Sequence, residues 1–116
     1  LMYAEAENEL GNTSEALTYI NMVRKRARWD GNIERNAVPD YVGLTQDELR
    51  TAVLKERRME FVAEGQRWFD LVRTQTLKTL VPVAKSGIMP QDKHYLFPIP
   101  QTEVDLNPNL KQNPGY

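Results

Sequence analysis

The chain has 116 residues, 41% hydrophobic and 27% charged, with 15 Lys+Arg against 16 Asp+Glu and a formal net charge of −1. This suits one folded domain or part of one and gives no global field toward nucleic acid or an anionic membrane. The absence of Cys excludes a disulfide framework, a thiol nucleophile and a thiolate zinc site.

No apolar run approaches the ~20 residues that cross a bilayer, and no charged-then-apolar leader opens the chain. It begins instead in helical periodicity, LMYAEAENEL, with neither an initiator Met nor a capping residue in front. The expectation is an excised C-terminal piece, with any leader, lipid anchor or further ligand residues upstream.

Leu1 to Leu10 consists largely of good helix formers, and Gly11-Asn12 supplies a helix stop. Ser14 is placed to cap a second helix, Glu15 to about Trp29, whose Ala16, Leu17, Ile20, Val23 and Ala27 recur at helical spacing. The short Gly11–Thr13 connection makes residues 1–29 an antiparallel hairpin of the tetratricopeptide type, with Ala4, Ala6 and Ala16 allowing close approach. Residues 30–44, with Gly31, Pro39, Asp40 and Gly43, read as a long surface loop. Thr45 and Glu48 form a capping box that starts a third helix at Gln46. That helix is expected to run to about Glu64, where Gly65 ends or kinks it before a short helix Arg67 to Thr74, so that residues 45–76 form one broken helical segment.

Residues 77–116 carry Pro82, Pro90, Pro98, Pro100, Pro108 and Pro114, and are expected to hold only short extended pieces, Tyr95-Leu96-Phe97 among them, and single helical turns. One short helix after Pro100 should end near Asn107. The Leu, Phe and Ile content implies that this irregular tail packs across the helices. The fold class expected is all-α, with no repeat of the hairpin and no low-complexity segment.

The segment ERRMEFVAEGQRWFDLVR places carboxylates where an amphipathic helix should be apolar. Leu49, Ala52, Val53, Met59 and Ala63 define a face, and Glu56 and Glu60 fall in its middle. A buried carboxylate needs a partner, and the nearby cations are Arg57, Arg58, Arg67 and Arg73. Glu56, Arg57, Glu60, Glu64, Arg67, Asp70 and Arg73 therefore read as a structural ion-pair network.

A catalytic or metal role for Glu56, Glu60 and Glu64 is disfavoured. The one His, His94, lies in the irregular tail rather than three residues beyond a Glu. Carboxylates stacked on one helix do not face each other across a cleft, and Arg neighbours hold them ionised rather than as raised-pKa acids. Trp68 and Phe69 are expected to pack between helices. Trp29 and Tyr41 flank the loop, divided between packing and exposure, with ligand contact the minor reading. Arg24, Lys25, Arg26 and Arg28 are expected to face water and complement the helix C-terminus. No phosphate loop, nucleophile elbow or metal-spaced His pair occurs, and no cofactor is implied.

Read together, YAEAENELGN with ALTYINMVRKRA, then LTQDELRTAVLKERRMEFVAEGQRWFDLVR, and finally KHYLFPIPQTEVDLNPNLKQNPGY resemble the C-terminal region of the SusD/RagB family of Bacteroidetes nutrient-binding outer-membrane lipoproteins. The most specific stretches are Glu56-Arg57-Arg58 through Asp70-Leu71 to Arg73, and the ending Asn113-Pro114-Gly115-Tyr116. The resemblance implies a helical, tetratricopeptide-like protein without enzymatic activity, lipid-anchored at the outer-membrane surface. It also implies a SusC-like TonB-dependent transporter as partner and a glycan or other nutrient as ligand, bound mainly by upstream residues. From a different class, a general helical-repeat module that holds another protein remains open.

Overall fold

The computed structural model describes residues 1–28, 38–84, 87 and 89–116, with the side chains of 83 and 84 left aside. Among these the chain is all-helical: α1 (Met2–Glu9), α2 (Thr13–Arg28), α3 (Gln46–Glu60), α4 (Gln66–Arg73), α5 (Leu77–Ala84), a 3-10 turn (Asp92–Tyr95) and α6 (Gln101–Leu106). Two compact units divide it, Leu1–Arg67 and Trp68–Tyr116, with the boundary inside α4.

In the first unit α1 ends in a Schellman arrangement. Asn12 N–H donates to Glu7 O at 2.8 Å, Gly11 N–H donates to Asn8 O at 3.0 Å, and Gly11 adopts φ +87°, a conformation that glycine reaches without a Cβ clash. Ser14 lies inside α2 rather than capping it. The helix begins at Thr13, and the carbonyl of Asn12 accepts the Ala16 N–H at 3.0 Å. Ala4, Ala16, Ile20, Leu49, Ala52 and Val53 form the buried core, flanked by Leu1, Leu17, Tyr41 and Leu44. Ala4 and Ala16 are fully buried, whereas Ala6, expected at the same seam, is exposed. Three helices thus meet over small side chains.

The capping box of α3 is present: Thr45 N–H donates to Glu48 Oε2 at 2.8 Å, and Glu48 N–H donates to the Thr45 hydroxyl at 3.4 Å. The helix ends at Glu60, a turn earlier than its periodicity suggests, because the chain turns through Ala63 (φ 66°) and Gly65 (φ 75°). Met59, assigned to the apolar face, is 49% exposed. The buried row instead runs Leu49, Ala52, Val53, Glu56 and Arg57.

In the second unit, residues 77–84 form a regular helix, α5, where the prolines had suggested an irregular tail. Pro82 lies inside this short helix, where its missing N–H forgoes one bond, the one to Lys78 O. The joint from α4 to α5 repeats the α1 stop without a glycine. Gln75 takes φ 56°, and Thr76 N–H donates to Leu71 O at 3.0 Å. The Pro-rich remainder lies against α4 and α5. The Trp68 and Phe97 rings are 5.5 Å apart, and Lys78 pairs with Asp92 at 2.6 Å. The Tyr95 hydroxyl reaches Gln75 O at 3.3 Å. Around Tyr95 the chain makes a 3-10 turn, and extended backbone begins only at Leu96.

Candidate functional site

The α2–α3 seam is apolar at one end and ionic at the other. Arg24 and Glu56 form a buried pair, Nη1 to Oε2 at 2.7 Å, with 9% and 4% of their side chains exposed. The same guanidinium donates through Nε to Pro39 O at 2.8 Å, and its carbon stands 3.9 Å from the centre of the Tyr41 ring. Its charge is thus covered by a carboxylate, a carbonyl and a π-face, as desolvation requires. One turn earlier, Asn21 clasps Tyr41 from both sides, donating Nδ2 to its carbonyl at 2.9 Å and accepting its N–H at 2.8 Å. One turn later, Arg28 pairs with Asp40 at 2.9 Å. A single face of α2 therefore ties residues 38–41 to the helices.

These contacts correct two expectations. Arg24 and Arg28, assigned to solvent, are buried at 7% and 8% exposure. The partner of Glu56 is Arg24 on α2, not a cation of the 57–73 segment. The sequence held a signal for this, since Ala16, Ile20, Arg24 and Arg28 are spaced four apart on one helical stripe. Glu60 likewise pairs with an α2 cation, Arg26, in a largely exposed contact. Of the remaining residues of the expected network, Arg57 is buried with its guanidinium 5.2 Å from the Phe61 ring centre. Arg67 is half-buried and Glu64 exposed. Asp70, 2% exposed, pairs with Arg73 through Nη2 at 2.8 Å.

Surface charges follow the same local logic. Arg50 grips Glu9 in a two-point fork, Nε to Oε1 at 2.6 Å and Nη2 to Oε2 at 2.8 Å. Those hydrogen bonds hold the Glu9 carboxyl below its ordinary range. The backbone N–H and then the hydroxyl of Thr45 do the same for Glu48. Lys78 is raised by its hydrogen bond to Asp92.

Among the aromatic candidates, Trp29 lies outside the described residues. Tyr41 is committed to Arg24 and Asn21 and is half-buried. Trp68 packs on Phe97, whereas Phe69, expected to pack as well, is 61% exposed.

The described residues of each unit include a concave surface. In the second unit Trp68, Leu71, Leu77, Val81, Met89, Pro90 and His94 line an apolar cleft of about 260 Å³. Its one imidazole is oriented by accepting the Gln91 N–H at Nδ1, 2.8 Å away; no motif in the sequence pointed His94 to this wall. At the α1–α2 turn an open depression is lined by Tyr3, Glu7, Asn12 and Glu15 among others, and Tyr3 meets Tyr19 edge-on with ring centres 4.4 Å apart. Among the described residues no group of His, Asp and Glu is arranged to hold a metal ion, and no helix is long and apolar enough to cross a membrane.

Comparison with known proteins places this architecture. The SusD family model matches residues 1–87 and 81–116. Three SusD-like proteins of Formosa agariphila align along the whole chain: P2 at 37% identity, P38 at 38% and P25 at 35%. The chain spans only 24%, 22% and 23% of their respective lengths. No solved structure matches it. With the family model matched along its length and three relatives above 30% identity, this all-helical chain belongs to the SusD family.

Proposed function

We propose that this chain is the helical scaffold of a non-catalytic nutrient-binding protein, with a glycan as the favoured ligand class. In this reading the protein works at the cell outer membrane, held there by a lipid anchor outside this chain, and passes its ligand to a SusC-like TonB-dependent transporter. Family membership along the whole chain carries the reading. The disposition of charge supports the scaffold role, because Arg24, Glu56, Asp70 and Arg73 are engaged in ion pairs rather than left for chemistry. We assign the set Glu56, Arg57, Glu60, Glu64, Arg67, Asp70 and Arg73, extended by Arg24 and Arg26, to stability.

The test is a glycan-array and calorimetric screen on this chain beside a full-length protein that carries it, with co-purification of a TonB-dependent transporter as second readout. Binding by the longer protein, unaltered in affinity by Glu56→Ala in the fraction that remains folded, is the expected result. Binding by the chain alone would move the ligand site into these residues. A second reading, a helical module that holds another protein, draws on the exposed Met2, Tyr3, Tyr19 and Met22 of the hairpin. Capture of a protein partner other than a transporter, with no ligand bound, would favour it.

A further inference from the structure

The second unit closes on itself through its last five residues. Gln112 clasps Ile99, donating Nε2 to the carbonyl at 2.7 Å and accepting the N–H through Oε1 at 2.8 Å. Asn113 Nδ2 donates to Phe97 O at 2.7 Å. The Tyr116 hydroxyl stands 3.0 Å from Leu96 O and 3.2 Å from Lys93 O, and Lys93 Nζ donates to Gly115 O at 3.3 Å. The ammonium of Lys93 also lies 5.2 Å from the Tyr116 ring centre. The gripped stretch, Lys93 to Ile99, carries His94, a wall of the apolar cleft, and Phe97, whose ring packs on Trp68.

Three properties make this grip distinctive. It works mainly through the side chains of Gln112, Asn113 and Tyr116 on main-chain atoms of Lys93, Leu96, Phe97 and Ile99, with Lys93 alone of that stretch adding its own side chain. It is almost wholly polar and, apart from the Gln112–Ile99 clasp, exposed. Exposed bonds of that kind each add little net stability, and segments held by them lie at the low-stability end of a fold. Closure also depends on Gly115. At φ +91° it passes so close to Lys93 that an added Cβ would lie 3.0 Å from the Lys93 Cβ.

We propose that Gln112–Tyr116 is a releasable strap whose closure sets the wall of the Trp68–His94 cleft. Released, it frees Lys93 to Ile99, withdraws Phe97 from Trp68 and opens the cleft. Held, it keeps the cleft narrow. The inference is independent of the ligand reading, since it concerns what holds the cleft and not what enters it.

The test follows Trp68 by acrylamide quenching in a Trp29→Phe background and the Ile99 amide by hydrogen exchange. In the otherwise unaltered protein the Ile99 amide should exchange faster than the α4-terminal Thr74 amide, which donates to Asp70 O. Deletion of residues 112–116, and separately Gly115→Ala, should raise Trp68 quenching about twofold and Ile99 exchange about tenfold, with Thr74 unchanged. Equal exchange at Ile99 and Thr74 would overturn the proposal, because the strap would open only when the whole unit melts. So would unaltered quenching in both variants, because the cleft wall would then not depend on the strap. Gly115→Ala removes no hydrogen-bonding group and keeps the test valid should the deletion unfold the unit.

Discussion

The two units of this chain solve the same problem with different materials. Leu1–Arg67 has long amphipathic helices, and its fully buried Ala4, Ala16, Ile20, Leu49 and Val53 form one core beside a buried ion pair. Trp68–Tyr116 has short helices interrupted by proline. Among its described residues the buried apolar ones are Leu71 and Leu77, and Gln112, Asn113 and Tyr116 hydrogen-bond main-chain atoms of its irregular Lys93–Ile99 stretch. Where periodicity is long enough to build a face, burial supplies the stability. Where proline removes donors and shortens the elements, amide and phenol side chains stand in for the missing ladders.

That contrast is broken most directly at the ion pair. Glu56→Ala leaves the Arg24 guanidinium buried without its carboxylate and should destabilise the first unit by about 3–5 kcal/mol, read by urea unfolding. Glu60→Ala removes a pair whose Arg26 side chain is 68% exposed, and should cost less than about 1 kcal/mol. Equal losses would show that burial does not separate the two pairs. Replacing both members, Arg24→Met with Glu56→Leu, should recover most of the Glu56→Ala loss, because no charge is then left stranded.

In the second unit, a double-mutant cycle between Trp68→Ala and Phe97→Ala should return a coupling of about 0.5–1.5 kcal/mol. A coupling near zero would remove the aromatic contact as a support of the cleft. Thr45→Ala should cost about 1 kcal/mol through loss of the α3 cap, with helicity by circular dichroism as the check. Gln75→Gly should act in the opposite sense, raising stability by about 0.5–1 kcal/mol, since Gln75 occupies a left-handed conformation that glycine adopts without a Cβ penalty.

The smallest effect expected is with pH. Glu48 and Glu9 are held below the usual carboxylate range when folded, so their contribution is full above the unfolded value of about 4.3. It is lost as pH falls through their folded values. Acid should therefore lower the melting temperature of the first unit, and Glu48→Gln should flatten that dependence. An unchanged slope in the variant would show that the capping carboxylate does not contribute to it.

Much of the architecture was legible before any coordinates. The Thr45–Glu48 box, the Gly11 stop and the 3.6-residue stripes of α1 to α3 are local rules, each satisfied within one or two turns of chain. The site was legible only by half. Two carboxylates on an apolar face announce a buried ion pair, but proximity in sequence points to a cation among residues 57–73, and the partner lies elsewhere. Arg24 stands 32 residues from Glu56, and a carboxylate does not encode which of several arginines will reach it.

By itself the sequence determined the fold class, the start of α3, the family and the fact that Glu56 must be neutralised. Only tertiary structure decided that Arg24 neutralises it and that Arg28 and Asn21 fasten residues 38–41. Tertiary structure also decided that α5 forms despite Pro82, and that the chain's end clasps the wall of the apolar cleft. The physical reason is range. Capping, periodicity and backbone strain act over a few residues and are written locally. The choice of partner for a buried charge or an unpaired carbonyl depends on which groups the packed helices bring within about 3 Å of one another.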